Sequence, residues 1–171
     1  INEFPTTDEA LTPGLAMYIK NVFAKNHVDI AVLGCYLNLA NPNPEKLAQI
    51  THRYMAHLRF ASWLGCGVVG TETGAPNETY THVPECHGEE AFQTFITNLR
   101  PVVKYAEQMG VVMAIELVWK HIVCNPKRAR RVLDEIGSPN LQIILDPVNL
   151  LDICNYKDQV AIVDEAIDVL G

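Results

Sequence analysis

The sequence predicts a parallel α/β chain: a partial (β/α)8 TIM barrel of about four consecutive βα units. Three observations predict it. Four short apolar runs are nearly continuous rather than alternating, the pattern of strands buried on both faces of a parallel sheet. Segments with apolar residues at helical spacing alternate with those runs, joined by short links. An open doubly wound sheet fits the same alternation, but no glycine-rich phosphate loop follows any run, which weighs against its nucleotide-binding versions.

The elements follow in order. Ile1 to Pro5 reads as a loop. Thr12-Pro13 opens a helix in which Leu15, Ile19, Val22 and Phe23 recur, because a capping side chain before a proline suits the first helical turn. Ile30 to Leu33 is the first strand run. Asn43-Pro44 opens a second helix through Leu47, Ile50, Tyr54, Leu58 and Ala61, stopped by Gly65. Gly67 to Gly70 is the second strand run, and the irregular stretch Thr73 to Gly88 reads as a surface loop over a site. From Glu89 an apolar stripe (Phe92, Phe95, Ile96, Leu99, Val102, Val103, Ala106) predicts a helix to Gly110, with a kink or break at Pro101. Val111 to Ile115 is the third run. Asn125-Pro126 opens a shorter helix through Ala129, Val132, Leu133 and Ile136. Leu141 to Leu145 is the fourth run, and a last helix spans roughly Lys157 to Leu170.

The chain has 171 residues, 49% hydrophobic and 19% charged, which is ample for one core. A complete barrel needs about 250 residues and eight strands. We therefore read residues 1–171 as a single domain, an incomplete barrel lacking the first strand and the C-terminal strands. Opening on a loop and on Ile1 rather than Met, it is expected to begin inside a longer protein. Half a barrel exposes two sheet edges and an apolar interior, so homo-oligomerisation or pairing with the missing half is expected.

Net charge is -7. Such a chain repels phosphate backbones, so no nucleic-acid partner is expected, and Lys127, Arg128, Arg130 and Arg131 read as a solvated helix face. Five cysteines (Cys35, Cys66, Cys86, Cys124, Cys154) lie at wide, irregular spacing without a CxxC pair, which argues for a reducing, cytoplasmic setting rather than a disulfide framework. No apolar run is long enough to span a bilayer, so no membrane partner is expected.

In parallel α/β proteins chemistry collects at the carboxyl ends of the strands. There lie Cys35-Tyr36-Leu37-Asn38, then Thr71-Glu72-Thr73-Gly74, then Glu116 running on to His121, and Asp146-Pro147-Val148-Asn149. Glu72, Glu116 and Asp146 thus share one rim. Converging carboxylates repel, and a divalent metal relieves the repulsion. Glu116 and Asp146 are the candidate metal ligands; Asn38, Glu72, His121 and Asn149 are candidate substrate contacts. Structural alternatives stand beside them: Glu116 paired with Lys120, Asp146 capping the turn before Pro147, and His121 packed by Trp119. His82, Glu85, Cys86 and His87 lack the second ligand pair of a zinc knuckle, and His52 and His57 read as surface or packing residues on a helix.

The stretches Gly34 to Pro42, Val69 to Gly74, Ala114-Ile115-Glu116 and Leu145 to Asn149, in this order and spacing, resemble the xylose isomerase-like barrel superfamily. Within it they are most similar to the sugar phosphate isomerase/epimerase group. The resemblance implies a divalent ion (Mn, Mg, Co or Zn) held by a glutamate, an aspartate, a histidine and a second glutamate on successive strands. Glu116 matches the first and Asp146 the second, and the other two would lie beyond Gly171. It also implies a small sugar, phosphorylated or not, isomerised or epimerised by proton transfer beside a carbonyl through an enediolate, with Glu116 as ligand and acid/base. The group's usual histidine three residues past the aspartate is Asn149 here, a departure from the ketose 3-epimerases. Two alternatives accompany this reading: an abasic-site endonuclease-like metal enzyme and a non-catalytic sugar-binding half barrel.

Overall fold

The structure, a computed structural model, describes residues 8–171. The expected loop from Ile1 to Pro5 lies outside the described residues. Five helices alternate with four strands: α1 (Pro13–Lys25), β1 (Leu33–Gly34), α2 (Pro44–Leu64), β2 (Val68–Thr71), α3 (Glu89–Met109), β3 (Val112–Glu116), α4 (Pro126–Ile136), β4 (Leu141–Ile144) and α5 (Gln159–Leu170). The strands form one parallel sheet in chain order, β1-β2-β3-β4, as consecutive units of a barrel do.

The predicted caps form. Thr12 Oγ1 accepts the Leu15 amide, Asn43 Oδ1 the amides of Glu45 and Lys46, and Asn125 Oδ1 that of Arg128. Gly65, Gly110 and Gly137 close α2, α3 and α4 in the left-handed conformation.

Register sorts the strand residues. Leu33, Val69, Met113 and Leu141 are partners across the sheet and face the helices, and the last three are almost fully buried. The core lies on that side, where Phe92, Phe95, Ile96 and Leu99 of α3 meet Tyr54, Leu58 and Ala61 of α2. The inner row is Gly34, Gly70, Ala114 and Gln142. Its glycines are required by close approach. A Cβ on Gly70 would sit 2.9 Å from Val32 Cγ1 and 3.0 Å from Ile144 Cδ1, and one on Gly34 would sit 2.8 Å from the Tyr36 ring. The Tyr36 ring therefore lies across the inner sheet face.

Three expectations change. The first strand run, Ile30 to Leu33, pairs only at Leu33–Gly34, and Val32 is exposed rather than buried. As an edge strand it has one neighbour, and its inner face has nothing across from it among the described residues. Gln142 and Leu145 are exposed at the other edge for the same reason. Pro101 neither breaks nor ends α3, which runs unbroken through it. Pro101 sits on the exposed side, where solvent can take the Thr97 carbonyl it leaves without a donor. On α1, Val22 and Phe23 are exposed, because α1 packs chiefly against α2 through Leu15, Ala16 and Ile19.

Candidate active site at the strand ends

Glu116 closes β3, and Asp146 and Asn149 follow β4 on a turn that includes a 3-10 segment, Val148–Leu150. Asp146 Oδ1 accepts the Val148 amide at 2.9 Å, so it does cap that turn, and its second oxygen points to Asn149. Asn149 joins the two strands. Its Nδ2 donates to Glu116 Oε1 at 2.7 Å and to Asp146 Oδ2 at 3.2 Å. Its carbonyl accepts the Trp119 amide at 2.8 Å, which ties the loop after β3 to the loop after β4. The alternative pairing of Glu116 with Lys120 is not made.

The electrostatics at Glu116 are those of a crowded carboxylate. Burial raises its pKa above the ordinary glutamate value, and the charges of Glu72 and Asp146 push it further; the bonds from Asn149 and Tyr36 oppose the rise. Glu72 follows β2, one step beyond the Thr71–Ile115 pair and so beside Glu116. Its Oε2 accepts from the Tyr80 hydroxyl at 3.2 Å.

His121 is buried rather than open at the rim. It is 1% exposed and lies behind Glu72, its Nδ1 3.4 Å from Glu72 Oε2 without a hydrogen-bond partner among the described residues. This contact is not an ion pair: burial lowers the imidazole pKa to about 4, leaving the ring neutral at physiological pH. Its ring packs edge-on against Tyr80, with centroids 5.1 Å apart, whereas Trp119 packs against His82.

Asn38 is likewise no free substrate contact. Both hydrogens of its amide go to the carbonyls of Ala75 and Asn77, and its oxygen accepts the amides of Ala40 and Ala75. It pins the loop after β2, passing beside Gly74, where a Cβ would collide with the Asn38 side-chain oxygen. That loop is less superficial than expected: Thr73, Gly74, Ala75 and Cys86 are buried. His82 and His87 tie it to the carbonyls of Lys120 and Trp119. His57 is buried, bonded to the Arg53 carbonyl, and His52 faces Asp8.

Sequence reasoning passed over two residues at this rim. Tyr36 shares the inward face with Gly34, a two-residue alternation visible in the sequence. Tyr80 left no signal, since its left-handed φ of 59° in an irregular loop is what aims it back at Glu72.

A family model described as Xylose isomerase-like TIM barrel matches residues 3–170. The chain belongs to this family.

No curated protein matches this xylose isomerase-like chain in sequence. Solved structures do match its fold. It is similar to the 3-keto-D-glucoside 4-epimerase YcjR of E. coli at TM-score 0.72 and 15% identity, covering 96% of this chain and 64% of that one. It is similar to a D-psicose 3-epimerase with D-tagatose from Clostridium cellulolyticum H10 at TM-score 0.70 and 16% identity, covering 94% and 56%. A third match is a xylose isomerase-like TIM barrel protein from Mycobacterium smegmatis in complex with magnesium, at TM-score 0.62 and 13% identity, covering 88% and 53%. The chain thus spans 53% to 64% of the length of these three.

The residues of this xylose isomerase-like chain suit a divalent cation in part. Two carboxylates from adjacent strands converge on one amide nitrogen, and burial, added to by the charges of Glu72 and Asp146, holds Glu116 above its ordinary pKa; a cation would lift the part that comes from like charge. Among the described residues, no three His, Cys, Asp or Glu side chains gather closely enough to hold an ion. Among the described residues, no helix is long and apolar enough to cross a membrane.

Proposed function

We propose that this chain carries part of the active site of a divalent-metal-dependent sugar isomerase or epimerase. One observation carries the reading: Asn149 Nδ2 bridges Glu116 and Asp146, holding two strand-end carboxylates on one point. Glu116 and Asp146 would hold the cation, which, when bound, supplies Lewis acidity toward a sugar carbonyl and its neighbouring hydroxyl.

The chain's own residues do the rest. Glu116 removes and returns a proton on the carbon next to the carbonyl. Asp146 serves as a ligand only. Asn149 keeps both carboxylates oriented, and Tyr36 lies across the sheet floor close enough to act on Glu116. The epimerase activities named for YcjR and the psicose 3-epimerase support a ketose or keto-sugar as the substrate class. The magnesium in the Mycobacterium smegmatis protein supports the metal. A rim of three carboxylates repels a phosphodiester backbone, which weighs against the abasic-site endonuclease alternative.

The test is metal binding by the full-length protein and by its Glu116→Gln and Asp146→Asn variants, with Mn2+ titrated and bound metal counted. One ion per chain, lost in either variant, is the expected result. An affinity for Mn2+ that neither variant changes refutes the assignment, and no binding at all moves the reading to a non-catalytic sugar binder.

A further inference from the structure

The contacts around Glu72 form a second arrangement at the rim, separate from the bridge at Asn149. Oε2 of Glu72 is held by the Tyr80 hydroxyl at 3.2 Å and approached by His121 Nδ1 at 3.4 Å. Oε1 makes no hydrogen bond among the described residues, and the side chain is 27% exposed. One oxygen is thus fixed from behind, and the other faces the rim beside Glu116.

His121 is the informative member. A ring that is 1% exposed, with a nitrogen lacking any hydrogen-bond partner among the described residues, is costly to bury. The Glu72 carboxylate lies 3.4 Å from that nitrogen but out of line for a hydrogen bond, and a proton on Nδ1 reaches Oε2 after a small turn of the ring. Tyr80 supports both partners, with its hydroxyl on Glu72 and its ring edge-on to the imidazole at 5.1 Å. No lysine or arginine pairs with Glu72, Glu116 or Asp146 among the described residues, so these carboxylates themselves repel a phosphate. An oriented carboxylate oxygen without a cation is an acceptor for neutral hydroxyl donors.

We propose that Glu72 is a specificity-determining residue that accepts a hydroxyl of a neutral polyhydroxy ketone, and that Tyr80 and His121 are its positioning residues. This rests on the sugar-enzyme reading above and adds a recognition arm to it. Tyr80 also makes the arm depend on the loop after β2, because its hydroxyl is the direct bond between that loop's 73–88 stretch and the Glu72 carboxylate.

The experiment uses the full-length protein with Mn2+ present and D-tagatose and D-psicose as neutral ketohexose probes. Affinity is measured by calorimetric titration for the wild type, Glu72→Gln and Tyr80→Phe, and the tautomer of His121 by 15N NMR. The expected result is at least a tenfold loss of ketose affinity in Glu72→Gln, since a charge-assisted bond becomes a neutral one. Tyr80→Phe, which deletes one oxygen and keeps the ring, is expected to lose about threefold. Both variants should bind Mn2+ as the wild type does, and His121 should carry its proton on Nδ1. Unchanged ketose affinity in Glu72→Gln, or a proton on Nε2 of His121, overturns the arm and leaves the Glu116–Asp146 site standing. Failure of the Mn2+-loaded wild type to bind either ketose overturns the arm and the sugar reading together.

Discussion

Truncating Asn149 to alanine removes the amide that bridges Glu116 and Asp146 and leaves the main chain alone, since the Trp119 amide bonds to the Asn149 carbonyl rather than to its side chain. Two charge-assisted bonds go, at 2.7 and 3.2 Å. Hydrogen bonds to charged groups contribute about 1.5–3 kcal/mol each, and partial exposure of all three side chains reduces that, so the metal-free chain is expected to lose about 2 kcal/mol. Asn149→Asp is expected to lose more, because an isosteric carboxylate replaces the donor with a third negative charge against Glu116 and Asp146. Urea denaturation in EDTA reads both deficits as shifts of the midpoint. Saturating Mn2+ should shrink the alanine deficit, because a cation between the carboxylates removes the repulsion that Asn149 relieves. Were Asn149→Ala as stable as the wild type in EDTA, or Asn149→Asp the more stable of the two variants, the picture of two carboxylates held together by one amide would fail.

Two further predictions test the surroundings of the site. Gly74→Ala should cost about 3 kcal/mol in urea denaturation, combining a left-handed φ with a Cβ that would be 3.3 Å from the Asn38 Cα and in collision with its side-chain oxygen. A Gly74→Ala chain of wild-type stability would show that Asn38 does not pin that loop. The pH dependence of stability should carry a His121 contribution. Burial lowers its pKa to about 4 from an ordinary 6.5, so the unfolded chain binds the proton first as pH falls. The native state then keeps its full advantage above about pH 6.5 and loses about 3 kcal/mol between there and pH 4. Subtracting the profile of His121→Phe from that of the wild type isolates this term; a flat difference would contradict a buried neutral ring.

The sequence disclosed the parts of this molecule that depend on local chemistry. Thr12, Asn43 and Asn125 before their prolines read as caps and are caps. The apolar runs ending in Glu72, Glu116 and Asp146 placed three carboxylates on one rim because strand direction alone sets which end faces the site. What stayed hidden depends on distant partners. Asn38 looked like a rim residue, but its amide is committed to the carbonyls of Ala75 and Asn77, nearly forty positions on. His121 looked accessible from its loop position and is buried because Tyr80 closes over it. The first strand run was apolar enough for a central strand, yet Val32 is exposed, since burial on both faces requires neighbours that sequence composition does not supply.

The strand order carries a consequence for how the chain folds. Each strand pairs with the one synthesised immediately before it, and none has to insert between two already joined. A growing chain can therefore add one strand and one helix at a time to an existing edge, closing only short loops of sequence at every step. Chain order thus permits assembly in the order of synthesis, each emerging unit meeting an edge already made.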